Sequence, residues 1–139
     1  MNDQRSHARA WLAKAVNDLT AAQRLLALDG PYDAVCFHAQ QAAEKALKAL
    51  LAYVNAPIPR SHNLEDLQAQ YRAAAPAPSA SLAVWDLTVL TPFAVELRYD
   101  LEFSPDRQQA DGASVLAAAV IEAAAAIIAE GGSSTIATV

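Results

Sequence analysis

The alternation of alanine and leucine at helical spacing in the first thirty residues most constrains the fold. The series Ala8, Leu12, Ala15, Leu19, Ala22 and Leu26 advances in steps of four and three, which is the seam of an amphipathic helix. Small residues beside large ones let a neighbouring helix approach closely. The segment Asp29-Gly30-Pro31 then combines a helix stop with a proline suited to opening a new helix. We therefore predict a helix from about Ser6 to Leu28, joined as an antiparallel hairpin to a second helix.

Composition extends this prediction to the whole chain. Hydrophobic residues make up 54% of the sequence, much of this as alanine, and only 4 residues are glycine. Alanine has the highest helix propensity, and no alternating strand pattern of useful length is present. The chain of 139 residues is long enough for one domain with its own core. We expect an all-α fold, with a single domain over residues 1–132 and a flexible tail over residues 133–139.

The remaining helices follow from start and stop signals. Together they predict an antiparallel up-down bundle of four long helical regions plus a short helix. The second helix is predicted over Tyr32–Val54, and a short third helix is capped by Asn63. The fourth region opens at Ser81 and is kinked or split by Pro92; its apolar stripe consists of Leu82, Trp85, Val89, Phe93 and Leu97. The fifth helix opens at Ser104-Pro105-Asp106 and ends at Glu130-Gly131-Gly132.

Charge and cysteine content narrow the classes of function. A net charge of −5 argues against a non-specific nucleic-acid coat, because such binding depends on many lysine and arginine contacts to phosphate. The single cysteine, Cys36, is expected to be a buried, inert thiol. The N-terminus has no signal-peptide pattern, and Ala113–Ala129 is a weak membrane candidate. We expect a soluble, cytoplasmic protein with no membrane partner.

The second helix carries the best candidate site. His38, Gln41 and Lys45 fall at i, i+3 and i+7 and share one flank, with Lys48 beside them. Arg60 and His62 follow in a proline-rich bend. The opposite side of the helix is apolar, through Val35, Ala39, Ala42, Ala46, Ala49, Leu50 and Tyr53.

Each candidate has a functional and a structural interpretation. Amide and ammonium groups suit phosphate or base-edge contacts, whereas His38 could instead be a partly buried histidine bonded to a backbone carbonyl or to a neighbouring helix. Arg60 and His62 form either an anion site near a helix N-terminus or a staple for their loop. Glu44 and Lys48 are expected to form a surface ion pair. No metal-ligand set, catalytic group or cofactor is assigned.

A family resemblance is carried by several blocks of sequence. They are Trp11…Ala15…Asp18-Leu19, then Tyr32-Asp-Ala-Val-Cys-Phe-His38-Ala-Gln40-Gln41-Ala-Ala-Glu44-Lys45-Ala-Leu-Lys48, Arg60-Ser-His62-Asn-Leu64 and Glu96-Leu-Arg98-Tyr99. The chain resembles the compact prokaryotic HEPN-domain proteins over about residues 6–130. The resemblance implies a helical bundle, commonly a homodimer, often encoded beside a small nucleotidyltransferase and associated with RNA cleavage or nucleotide binding.

The catalytic motif of the ribonuclease members is incomplete. In those members an arginine is followed by a histidine four to six residues later. Arg98 resembles that arginine, but Phe103, Ser104 and Pro105 stand where the histidine is required. Arg98-Tyr99 is therefore either a salt bridge with a packing ring at the edge of the core or part of a cleft facing a partner subunit. Family-type cleavage would need His38 or His62 to act from another element.

The sequence thus favours a HEPN-type binding or regulatory module. It would contact a nucleotide or RNA phosphate through His38, Gln41, Lys45, Arg60, His62 and Arg98, within a toxin–antitoxin-like pair with a nucleotidyltransferase. One alternative is a divergent, metal-independent endoribonuclease, and another is a structural helical adaptor whose polar flank is merely solvated. A homodimer is expected because the fifth helix is apolar on two sides: Leu116, Val120 and Ile127 on one, Ile121 and Ile128 on the other.

Overall fold

The fold is an α-helical bundle centred on its second helix. The structure, a computed structural model, describes residues 3–75, 85–93 and 101–137, with side chains described as far as residue 129. Its elements are α1 (Asp3–Ala27), α2 (Tyr32–Tyr53), α3 (Leu64–Ala74), a 3-10 helix (Leu87–Val89) and α4 (Arg107–Ala137). Helix α2 packs against α1, α3 and α4, and α1 also packs against α4. The prediction of an all-α bundle is confirmed.

The α1–α2 hairpin forms as its sequence predicts. Ala8, Ala15 and Ala22 are fully buried, and Leu12, Leu19 and Leu26 pack beside them on the core. At the end of α1, Asp29 adopts a positive φ of 64° and Gly30 a φ of 113°. The Gly30 and Asp29 amides donate to the carbonyls of Leu25 and Leu26, which is a Schellman ending. The left-handed residue is therefore Asp29, with Gly30 after it.

An ion pair joins the turn after α1 to the start of α4. The Arg107 guanidinium at the start of α4 binds the Asp29 carboxylate and the carbonyl of Leu26. A hydrogen bond with Tyr32 and the charge of Asp29 raise the pKa of Arg107 above its ordinary value. The contact supplies a cation to the carbonyl end of α1, where the helix dipole favours positive charge.

Helix α3 confirms its predicted cap, whereas α4 begins and ends later than expected. The Asn63 side chain accepts a hydrogen bond from the Asp66 amide at 3.1 Å. The cap of α4 is Asp106 rather than Ser104, because Asp106 and Gln109 exchange reciprocal side-chain-to-amide bonds of 2.8 and 2.9 Å in the manner of a capping box. The helical backbone then continues through Gly131-Gly132 to Ala137.

The fourth helical region differs from its predicted stripe. Leu82 and Leu97 lie outside the described residues, Trp85 precedes the helix, and Val89 is 53% exposed. Phe93 is buried and Trp85 packs on the core while partly buried, as the stripe predicts. In place of Val89, Leu87 and Leu90 are buried, and their spacing of three fits the 3-10 helix at Leu87–Val89. Pro92 lies in a helical turn at residues 91–93 that follows directly.

Much of the apolar surface of α4 is covered by the chain itself. Val120, Ile121 and Ile128, from both predicted sides, are buried, while Val115 is 63% exposed. Residues Arg107–Ala129 are long and apolar enough to cross a membrane by length and composition. Here they pack against α1 and α2, as the core helix of a bundle does.

The buried thiol of Cys36 gives a prediction that depends on pH. Desolvation, reinforced by the charges of Asp33 and Asp106, raises the pKa of this thiol to about 11. In the native protein at pH 8, Cys36 should resist a thiol-labelling reagent, and it should react fully in denaturant. Because an unfolded cysteine has a pKa of about 8.5, the free energy of unfolding should be unaffected below that value and should fall as the pH rises to about 11. Urea unfolding of Cys36→Ala should lack that fall, and rapid labelling of native protein would contradict the prediction.

Candidate functional site

The polar flank of α2 is joined to α1 by one shared carboxylate. Asp18 of α1 accepts from His38 Nδ1 at 2.9 Å and from Lys45 Nζ at 2.5 Å. The two donors can reach one carboxylate because residues seven apart lie two turns along the same helix face. The Asp18 side chain is only 14% exposed, against 34% for His38 and 26% for Lys45. The structure therefore brings His38 and Lys45 together, and it also neutralises the lysine charge.

A second carboxylate, Glu44, organises the other half of the flank. Its Oε2 lies 3.0 Å from Lys48 Nζ and its Oε1 lies 2.9 Å from His62 Nδ1. Gln40 Nε2 also donates to Glu44 Oε1 at 3.3 Å. The expectation of an ordinary surface pair is wrong, because Glu44 is 5% and Lys48 8% exposed. Lys48 Nζ lies over the ring of Trp11, 5.6 Å from the ring centroid. The loop before α3 contacts Glu44 through His62.

Both histidines are held in the same way. Each imidazole has its Nδ1 against a carboxylate, Asp18 for His38 and Glu44 for His62. An ionised carboxylate can only accept, so this geometry assigns the hydrogen to Nδ1 and leaves Nε2 available to another group. The His62 side chain is 59% exposed. A polar ligand therefore has access to its ring.

Of the other predicted site residues, Gln41 and Arg60 do not bind Asp18 or Glu44 in the part of the chain that the structure describes. Gln41 Nε2 donates to Gln40 Oε1 at 2.9 Å, which connects the flank to the Glu44 network. Arg60 is exposed and makes no hydrogen bond or ion pair within the parts of the chain that the structure describes. Arg98 lies outside the described residues. The first turn of α3 carries Glu65 and Asp66, and their charge offsets the positive end of that helix for an approaching anion.

Three polar partners of this site were not assigned from the sequence. Asp18, Gln40 and Glu44 all belong to the family pattern, and Glu44 is also half of the expected surface pair, but the sequence assigns none of the three to the site. One available signal was the position of Asp18, seven residues after Trp11 on the same flank of α1. The burial of Gln40 at 0% exposure depends on α3 and its loop, so helical spacing alone could not indicate it.

A pocket next to the site is lined almost entirely by apolar residues, whereas the site itself is polar. It has a volume of about 390 Å³ and lies between the end of α2, the proline-rich bend and α3. No titratable side chain lines it. Among the described residues, no group of three His, Cys, Asp or Glu is placed to hold a metal ion. The pocket is lined by Leu51, Ala56, Pro57, Ile58, Pro59, Gln70, Ala73 and Ala74.

Comparison with known proteins identifies the family. Residues 8–128 match the HEPN domain, and the chain therefore belongs to the HEPN family. It is also similar to a solved structure described as TT1696 from Thermus thermophilus, with 30% sequence identity and a TM-score of 0.69. That similarity covers 89% of this chain and 97% of the other. Among curated proteins, none matches this chain.

The buried Glu44 network makes a prediction about stability. Glu44→Ala leaves the Lys48 ammonium buried without its carboxylate and releases His62, so the free energy of unfolding should fall by about 3–5 kcal/mol. Replacing both partners, as Glu44→Leu with Lys48→Met, should cost less because no buried charge is left unpaired. Urea unfolding followed by circular dichroism measures the effect. The matched control is Glu122→Ala, an exposed acid on α4, which should change stability by less than about 0.5 kcal/mol. If Glu44→Ala lowers the free energy of unfolding by less than about 1 kcal/mol, the network does not stabilise the fold as predicted.

Proposed function

We propose that this HEPN protein is a binding or regulatory module that contacts the phosphate of RNA or of a nucleotide. The contact set is His38, Gln41, Lys45, Arg60 and His62, with Arg98 as a sixth member. The observation that carries the proposal is the exposed Arg60 two residues before His62. The Arg60 guanidinium has no anionic partner among the described residues. The His62 ring is oriented by the bond between its Nδ1 and Glu44.

Charge balance explains why Arg60 is the leading contact. Asp18 neutralises Lys45, and Glu44 neutralises Lys48. A phosphate that approaches the α2 flank therefore meets little net charge from the lysines. Arg60 offers a planar fork of donors suited to phosphate oxygens. The Nε2 atoms of His38 and His62 donate to a phosphate oxygen only in the protonated imidazole, and in the neutral imidazole they accept from a ribose hydroxyl. Lys45 contributes to the extent that a ligand competes with Asp18.

Binding measurements on two opposed variants test the proposal. Arg60→Ala should weaken binding of a labelled single-stranded RNA by about 10- to 100-fold, since a charged hydrogen bond contributes roughly 1.5–3 kcal/mol. The slope of log K against log[salt] should also fall by about 0.7. Asp18→Asn should strengthen binding, because Lys45 loses its neutralising partner, while protein stability falls. Fluorescence anisotropy with RNA, and thermal shift with ATP or AMP, provide the readouts.

The matched control is Arg24→Ala. Arg24 is an exposed arginine near the hairpin end of α1, so its loss changes the net charge equally without touching the site. The proposal is wrong if wild-type protein shows neither RNA binding nor a nucleotide-dependent thermal shift. It is also wrong if Arg24→Ala weakens binding as much as Arg60→Ala does. Unchanged binding in both Arg60→Ala and Lys45→Ala would instead favour the structural adaptor.

Two protein partners complete the proposal. A second copy of the chain would use the flank of α4 on which Val115 is 63% exposed, alongside the exposed Ala126 and Ala129. Small residues there allow close helix–helix approach. A small nucleotidyltransferase-like protein, in a toxin–antitoxin-like pair, is the second partner that family membership suggests.

The geometry of the histidines supports one second candidate, a metal-independent endoribonuclease. A carboxylate on Nδ1 with a free Nε2 is the arrangement by which an imidazole is oriented as a general base. If the protein cleaves RNA, cleavage should persist in a metal chelator and should fall at least about 100-fold in His38→Ala or His62→Ala. RNA that stays intact after prolonged incubation with wild-type protein would eliminate this candidate.

A further inference from the structure

The flank of α1 that faces the site carries an aromatic group. His7, Trp11, Lys14 and Asp18 are spaced by four, three and four residues, so they form one stripe along α1. Asp18 and Trp11 both contact α2 from this stripe, Asp18 through His38 and Lys45, and Trp11 through Lys48. Lys14, which lies between them in sequence, is exposed. The stripe thus places a tryptophan between His7 and the exposed Lys14.

Trp11 is connected to the proposed phosphate contact through the buried ion pair. Its ring centroid lies 5.6 Å from Lys48 Nζ, which lies 3.0 Å from Glu44 Oε2. The other oxygen of Glu44 lies 2.9 Å from His62 Nδ1. The indole and the imidazole therefore contact the two members of one salt bridge, Trp11 at Lys48 and His62 at Glu44.

The indole is oriented by its neighbours and is partly exposed. Trp11 Nε1 donates to His7 Nε2 at 3.2 Å, and the two rings are tilted with centroids 6.4 Å apart. Its inner side packs on a small cluster formed by Ala8, Ala49, Ala52 and Ile128. Tyr53, also partly exposed, packs on the same cluster. Two aromatic side chains and the exposed imidazole of His7 thus lie at this end of the α1–α2 pair.

We propose that Trp11 stacks an unpaired base, so that the ligand of this site is single-stranded RNA; this inference rests on the proposed phosphate contact at Arg60 and His62. Single-strand binding sites combine cations that follow the backbone with aromatic rings on which bases stack. That combination is present here, in the exposed Lys14, Arg60 and His62 together with the partly exposed Trp11. In a duplex the bases stack on one another, so no base face is available to stack on the Trp11 indole.

The role of Trp11 in packing requires variants that separate stacking from stability. Trp11→Leu keeps an apolar side chain on the Ala8 cluster and removes the aromatic face, whereas Trp11→Phe keeps an aromatic face. Single-stranded RNA of about 12 nucleotides should bind roughly 5- to 150-fold more weakly to Trp11→Leu, the loss expected for one stacked base. Trp11→Phe should retain most of the affinity. Melting temperatures measured on the same samples identify any variant that is unfolded.

Intrinsic fluorescence supplies a second, independent readout. The chain has 2 tryptophans, so Trp85→Phe leaves Trp11 as the sole emitter. The Trp85 backbone, whose amide and carbonyl meet the Gln68 side chain at 3.3 Å, is preserved by that change. Single-stranded RNA should quench the remaining emission, and a duplex of the same length and inorganic phosphate should not. Trp85→Phe should bind RNA as wild type does, which makes it the matched control.

The outcomes separate this inference from the function on which it rests. If RNA binding depends on Arg60 but Trp11→Leu binds within twofold of wild type and Trp11 is not quenched, the stacking role is wrong and the phosphate site stands. If the duplex binds as tightly as the single strand, the assignment to single-stranded RNA is wrong. If wild-type protein binds no RNA and no nucleotide, the proposed function fails and the stacking role fails with it.

Discussion

The burial of charged groups on the central helix is the constraint from which the site geometry follows. Helix α2 is enclosed by α1, α3 and α4, so Gln40, Glu44 and Lys48 are almost fully removed from solvent. Buried charges are tolerated only when paired and hydrogen-bonded. Glu44 meets that requirement by binding Lys48, Gln40 and His62 together. The loop before α3 and the indole of Trp11 are thereby fixed against α2. The same bonds that make the core acceptable also position the candidate ligand groups.

The parts of the fold that obey local rules could be predicted from the sequence. The seam of α1, the hairpin turn and the Asn63 cap of α3 all depend on residues within one or two turns of one another. The failures arose where a different local solution or the tertiary context prevailed. Leu87 and Leu90 are buried in place of Val89, because the chain forms a 3-10 helix at Leu87–Val89. Glycine in a helix costs only about 1 kcal/mol relative to alanine, so Gly131-Gly132 does not have to end α4.

Spacing within one helix predicts which residues of α2 share the candidate site, but it does not predict their partners on other elements. Helical spacing brings His38, Gln41 and Lys45 to one flank, as the sequence indicates. Spacing along α2 gives no information about Asp18, which reaches that flank from α1 and neutralises Lys45. Nor does spacing reveal that Glu44 and Lys48 are buried, since this depends on what covers α2. A prediction of ligand contacts from one helix alone therefore overstates the positive charge that a phosphate would meet.

The arrangement of the two histidines ranks binding above cleavage. His38 and Glu44, the anchor of His62, are six residues apart on α2, which corresponds to about 9 Å along the axis and to well-separated sectors of the helix. Cleavage of a phosphodiester by the neighbouring 2′-hydroxyl requires a base at that hydroxyl and an acid at the leaving 5′-oxygen, both on the same phosphorus atom. Two imidazoles that are held by separate carboxylates in separate sectors satisfy that condition poorly within one chain. Contacts to successive groups of an extended strand require no such convergence. The spacing therefore suits a strand that lies across the α1–α2 pair, with phosphate and base contacted at different points.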